Sequence, residues 1–127
     1  SGMDAGKIYN TWPLMGSTYF PDDNTISNLL NLNIFNNPSL VQFVHRNLAY
    51  LIFFYYLFML IFIYKNNLFN FFKPIKLIGL FLVIQIILGV ITLLSGAQMI
   101  FASMHQIASI FLISSSIYLL YLNTKTN

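Results

Sequence analysis

Two histidines and one arginine stand in stretches that are otherwise apolar: His45, Arg46 and His105. An ionisable side chain inside an apolar span is costly and marks a functional site by default. His45 follows Pro38 by seven residues, and His105 follows Gln98 by seven. If Pro38 and Gln98 open two parallel helices, a rise of about 1.5 Å per residue puts both imidazoles roughly 10 Å below the same end. Facing helices build cofactor sites in this way. Zinc wants three or four protein ligands, and no carboxylate or thiol lies near either histidine in the sequence. Haem iron takes its equatorial ligands from the porphyrin and needs only axial ones from the protein. The matched pair therefore favours haem. Taken singly, each histidine is as well explained by a hydrogen-bonded place in the core.

The neighbours of the pair read two ways. Ala49, Ala102, Ala108 and Ser109 leave room for a flat macrocycle, or they let helices pack closely. Arg46 near a helix end could meet a haem propionate. Pairing with Asp22 or Asp23, or snorkelling to the interface, is the plainer reading. Gln85, Gly89, Thr92 and Gly96 share one helix face and read as a packing stripe with polar glue.

The elements that must carry these residues follow from composition. Of 127 residues 57% are hydrophobic and 7% charged, against about 25% charged in a soluble domain. Nine charges could not cover a water-soluble fold of this size, so the chain reads as an all-α integral membrane protein. The net charge of +3 is scattered, which excludes nucleic acid as a partner. The lack of cysteine removes disulfides, thiolate metal sites and thiol nucleophiles. A span needs about 20 apolar residues. Three are predicted, at about 39–64, 75–94 and 98–122. Asn37-Pro38 starts the first as N-cap and first helical residue. Ser95-Gly96 separates the last two. Residues 1–38 form a polar leader holding all three acids, with a turn at Pro21-Asp22-Asp23-Asn24. Ile26, Leu29, Leu30 and Ile34 recur at helical spacing, which predicts a short interfacial helix over about 25–35 or an ordered loop with apolar anchors. Tyr9, Trp12, Tyr19 and Phe20 suit an aromatic belt at the outer interface. Lys65, Lys73, Lys76 and Lys125 fall at one side, which the positive-inside rule makes cytoplasmic, with the leader outside.

Four blocks then resemble one family: Asn10-Thr11-Trp12-Pro13-Leu14-Met15; Gln42-Phe43-Val44-His45-Arg46 with Ala49-Tyr50; Gln85 to Leu94; and His105-Gln106. In order and spacing they look like the C-terminal half of a heme A synthase. The resemblance covers nearly the whole chain, and Ser1 to Gly6 resembles the end of a preceding transmembrane helix. It implies a bacterial inner-membrane oxidoreductase with two four-helix halves that converts the C8 methyl of heme O to the formyl group of heme A. It implies that His45 and His105 ligate a heme b, in three helices of a four-helix bundle. It places the catalytic residues in an N-terminal half that this sequence lacks, so the fragment alone is expected to be inactive. It also implies the bilayer, that N-terminal half, heme O synthase and other oxidase assembly factors as partners. The rival readings are a bis-histidine b-type cytochrome subunit and a haem-free structural subunit.

Overall fold

A computed structural model describes residues 5–30 and 35–126. Three long helices dominate it: α1 (Pro38–Lys65), α2 (Phe72–Leu94) and α3 (Met99–Thr126). All three are long and apolar enough to cross a membrane. Residues 31–34, which include Ile34 of the expected interfacial helix, lie outside the described residues, as do Ser1 to Asp4. Within the expected 25–35 segment, Ile26–Leu30 is a 3₁₀ turn whose Ile26 and Leu30 are exposed.

The helix ends follow from local chemistry. Asn37 Oδ1 accepts from the backbone N–H groups of Ser39 and Leu40, at 3.0 and 3.2 Å, and caps the start of α1. Both helix-to-helix connections leave by the same device. After α1, Asn67 adopts φ 52°, and after α2, Gly96 adopts φ 71°. In each case two later N–H groups turn back: Asn67 to Tyr64 and Leu68 to Ile63, then Gly96 to Leu93 and Ala97 to Thr92. These bonds satisfy the last carbonyls of each helix. The second helix begins at Phe72, earlier than the sequence reading put it. Pro74 lies in its first turn, where the missing N–H has no intrahelical partner to lose.

Helices α2 and α3 form a closely packed antiparallel hairpin. Phe81 and Phe111 stack across it at 5.4 Å between ring centres. Ala108 and Ser115 are buried on α3. Helix α1 meets α2 near the lysine-bearing end, where the Tyr56 ring lies on the bare backbone of Gly79. An added Cβ there would come within 2.8 Å of Tyr56 Cζ. Tyr64 stacks on Phe72 at 4.4 Å at the same end. Helix α1 stands further from α3 than from α2. Most large apolar side chains of the three helices face outward, among them Phe54, Phe58, Ile110 and Ile117. Such faces suit a hydrocarbon phase.

The polar leader folds back over the start of α1. Ser39, Gln42 and Arg46 share the face it covers. Gln42 Nε2 donates to the Tyr9 carbonyl at 3.1 Å. Arg46 donates to three carbonyls: Tyr9 at 3.0 Å, Leu14 at 3.1 Å and Pro13 at 3.5 Å. Ser39 Oγ donates to Asp23 at 2.6 Å. Tyr19 and Phe20 both meet Phe43 edge-on, and Tyr19 donates to Asn47. Met15 and Leu40 are fully buried in this cap. The predicted turn at Pro21 is present, with Asn24 N–H donating to the Pro21 carbonyl. The leader and the 95–98 turn share one end of the bundle, since Gly6 packs against Ala97 and Gly96 against Asn10.

Candidate site between the histidines

Helix α1 supplies His45 and α3 supplies His105. Their ring centres lie 6.4 Å apart with the planes at 76°. Parallel helices entered from one end bring them to one level, so seven residues past Pro38 and six past Met99 meet across the bundle. His45 is exposed, on the side of α1 away from the leader contacts, whereas His105 is half-buried in the hairpin. No group of three or more His, Cys, Asp or Glu suited to a metal occurs among the described residues.

Helix α2 shapes the His105 side. Gly89 faces the imidazole directly, and an added Cβ would lie 3.0 Å from His105 Cε1. One turn away, Gln85 Nε2 lies 3.2 Å from His105 Nε2. Gln85 Oε1 and His105 Nδ1 are both buried without a partner. The stripe read as packing glue thus carries two residues that touch the histidine. The signal for Gln85 was its being the one amide inside the second span. A polar side chain in hydrocarbon must find a partner, and only the rotation of α2 against α3 decides which.

Gly89→Leu should lower folded yield more than Ile87→Leu. The first drives a side chain into the His105 ring. The second changes shape at equal volume on an exposed position. Expression and size-exclusion yield in detergent would measure it, and equal yields would remove the argument for a glycine at that contact.

Arg46 is the third candidate, and its surroundings were not legible in advance. The residue is 9% exposed, and its guanidinium is turned to the leader's carbonyls. Its Nε is buried with no partner. Asp22 and Asp23, the alternative partners, are engaged elsewhere. Asp22 accepts from Thr18 and Ser17, and these hydrogen bonds hold its carboxyl below the ordinary 3.8. Burial pulls the Asp23 carboxyl up, but bonds from Ser39, Asn24 and Tyr9 outweigh it and leave it lowered. Burial, and then the bond to Asp23, raise the Tyr9 phenol above 10.0. Sequence reasoning also passed over Ser39 and Asn47 as leader contacts, although Ser39, Gln42 and Arg46 form a polar stripe at helical spacing in an apolar span.

Known proteins give the site its context. The sequence profile of the cytochrome oxidase assembly protein family matches residues 1–117. A heme A synthase of Pelagibacter ubique is 43% identical over 125 residues, covering 98% of this chain and 37% of that protein. One from Wolbachia pipientis wMel is 43% identical over 127 residues, 99% of this chain and 35% of its own length. One from Rickettsia felis is 36% identical over 118 residues, 93% and 35%. The chain therefore spans about a third of the length of the curated relatives it matches. No solved structure gives a significant match.

Proposed function

Because the chain belongs to the cytochrome oxidase assembly protein family, we propose that it forms the C-terminal haem-holding part of a heme A synthase. The full-length protein would oxidise the C8 methyl of heme O to the formyl group of heme A. The observation that carries this reading is the spacing of the histidine rings. A metal held by one nitrogen of each ring, with bonds of about 2 Å and about 1 Å from each nitrogen to its ring centre, would need the ring centres about 6 Å apart. The 6.4 Å between His45 and His105 suits that arrangement.

The residues divide the work. His45 and His105 would hold the iron of a heme b through neutral imidazole nitrogens, so the site would bury no bare cation. The bound haem supplies a one-electron couple. With both imidazoles given to its iron, the haem would serve as an electron carrier, and the methyl oxidation would fall to the rest of the enzyme. Gly89 leaves space for the His105 ring. Arg46 closes the leader over this end; its buried Nε lacks a partner, and a propionate would have to enter beneath the leader to meet it. The alternatives of a cytochrome subunit and a haem-free subunit are not favoured, since the relatives named above are heme A synthases. Heme O synthase and other assembly factors belong to the same proposal as partners of the whole enzyme.

Purifying the full-length protein from cells with and without a heme O source, and weighing its extracted haem, tests the reading. Heme A is expected only with the source, and a second haem in both cases. A preparation carrying no haem under either condition would overturn it.

The lysines set the orientation we propose in the bacterial inner membrane. Lys65, Lys73, Lys76 and Lys125 share one end, taken as cytoplasmic, and the leader faces outward. Asn67→Cys in this cysteine-free chain should resist an impermeant thiol reagent in intact cells. Ready labelling would reverse the assignment.

A further inference from the structure

We propose that Gln85 is the positioning residue of His105, guarding its Nε2 before haem binds and accepting its Nδ1–H afterwards. This rests on the haem reading above and adds a residue and a two-stage role to it.

The argument starts from two complementary orphans. The Gln85 amide N–H donates to His105 Nε2 at 3.2 Å. A neutral imidazole that accepts at Nε2 carries its proton on Nδ1. That Nδ1 is buried without a partner, and so is Gln85 Oε1. An unsatisfied buried polar atom costs about 1–3 kcal/mol. The same two side chains therefore hold an unused donor and an unused acceptor. Both are satisfied together if the imidazole turns to present Nδ1–H to Oε1, and that turn releases Nε2. The freed Nε2 lone pair is the one an iron would take. The proton stays on Nδ1 throughout, so the exchange trades the Gln85 N–H bond to Nε2, whose donor is left to find another partner, for a metal bond and an Nδ1–H bond to Oε1.

The setting permits the turn. Gly89 stands beside the ring with no side chain, its absent Cβ 3.0 Å from Cε1 and 3.5 Å from Nδ1. A ligating histidine normally donates its other N–H to an acceptor, which fixes its orientation and raises its basicity. His105 has no carboxylate to fill that role among the described residues. All three acids of the sequence lie in the leader, and Asp22 and Asp23 are bonded there. Gln85 Oε1 is the acceptor at hand.

A more basic axial ligand favours ferric over ferrous iron, so the test reads a midpoint potential. In the haem-loaded full-length protein, Gln85→Leu removes the acceptor at similar volume, and Gln85→Glu strengthens it. The expected results are opposite shifts. Leu should raise the potential of the His45/His105 haem by a tenfold change in the redox preference, about 59 mV for one electron, and Glu should lower it. Loss of that haem to a haem-scavenging globin should quicken about tenfold in Gln85→Leu and stay near wild type in Gln85→Glu. If His105→Ala abolishes the low-spin spectrum while neither Gln85 variant moves the potential, the assignment to Gln85 fails and the haem reading stands. If His105→Ala leaves the spectrum unchanged, the haem reading fails and takes this inference with it. Should Gln85→Leu not fold, an unmoved potential in Gln85→Glu is enough to overturn the proposal.

Discussion

His105→Ala in the full-length protein should convert the haem proposed for this part from a six-coordinate low-spin to a five-coordinate species, or release it. The substitution would remove one of the two proposed iron bonds, and it empties the space between Gly89 and Gln85. It also strands the Gln85 amide in the hairpin, since His105 is the partner seen for its N–H. Loss of an outer partner alone weakens metal sites by about 10- to 100-fold, so loss of the ligand itself should exceed that. His45→Ala should give the same spectral change with less harm to folding, because His45 is exposed and has no comparable packing. Absorption and low-temperature electron paramagnetic resonance spectra would check both. An unaltered six-coordinate low-spin signal in His105→Ala would sink the ligand assignment.

Arg46→Ala should release the leader. Its guanidinium bonds the carbonyls of Tyr9, Pro13 and Leu14 and sits under them in a 9% exposed position. Hydrogen bonds from a charged donor contribute about 1.5–3 kcal/mol each, less what water restores to the freed carbonyls. A net loss of about 2–4 kcal/mol is expected for closure of the cap. Arg46→Lys should rescue little, since an ammonium cannot span carbonyls that the planar fork reaches together. Acid should open the same cap. Asp22 and Asp23 are held below their ordinary 3.8, so their contribution is full at neutral pH and is lost as pH falls through their lowered values. The raised Tyr9 phenol works the other way, and its contribution is lost as pH climbs through a value above 10.0. Emission from Trp12, the single tryptophan of this chain, should report all three effects. An unchanged spectrum in Arg46→Ala at neutral pH would show that the carbonyl bonds do not hold the leader.

What could be read beforehand and what could not divides along physical lines. Three membrane-length helices were legible because apolar length and scarce charge are properties of the chain itself. The start of α2 was not, because a proline commonly marks a helix boundary, and Pro74 is instead tolerated inside a first turn. That His45 and His105 reach one level follows from counting residues, and the 6.4 Å between their rings agrees with the count. The grip of Arg46 could not be foreseen. Every residue has a carbonyl, so no pattern of side chains announces which ones an arginine 32 to 37 positions later will find. Asp22 and Asp23 looked like its partners for the opposite reason, since charge is visible in a sequence and backbone geometry is not. Gln85 fell between the two cases. Its need for a partner was legible, and the partner's identity waited on how α2 turns against α3.

The cap's dependence on carbonyls has an evolutionary corollary. Arg46 reads main-chain oxygens, which survive any substitution at Tyr9 or Leu14 that keeps the backbone path. Drift at the exposed Leu14 should thus be cheap, and at Tyr9 it should cost only the phenol's bond to Asp23, whereas inserting or deleting a residue between positions 9 and 14 would move the oxygens out of register. Gly16 is the exception. It turns at φ 83°, and an added Cβ would approach Asp22 Oδ2 to 2.9 Å. Natural variation in this segment should accordingly be rich in replacements and poor in indels. A library of single-residue deletions across 9–14, scored for folding beside a substitution library, would expose that asymmetry.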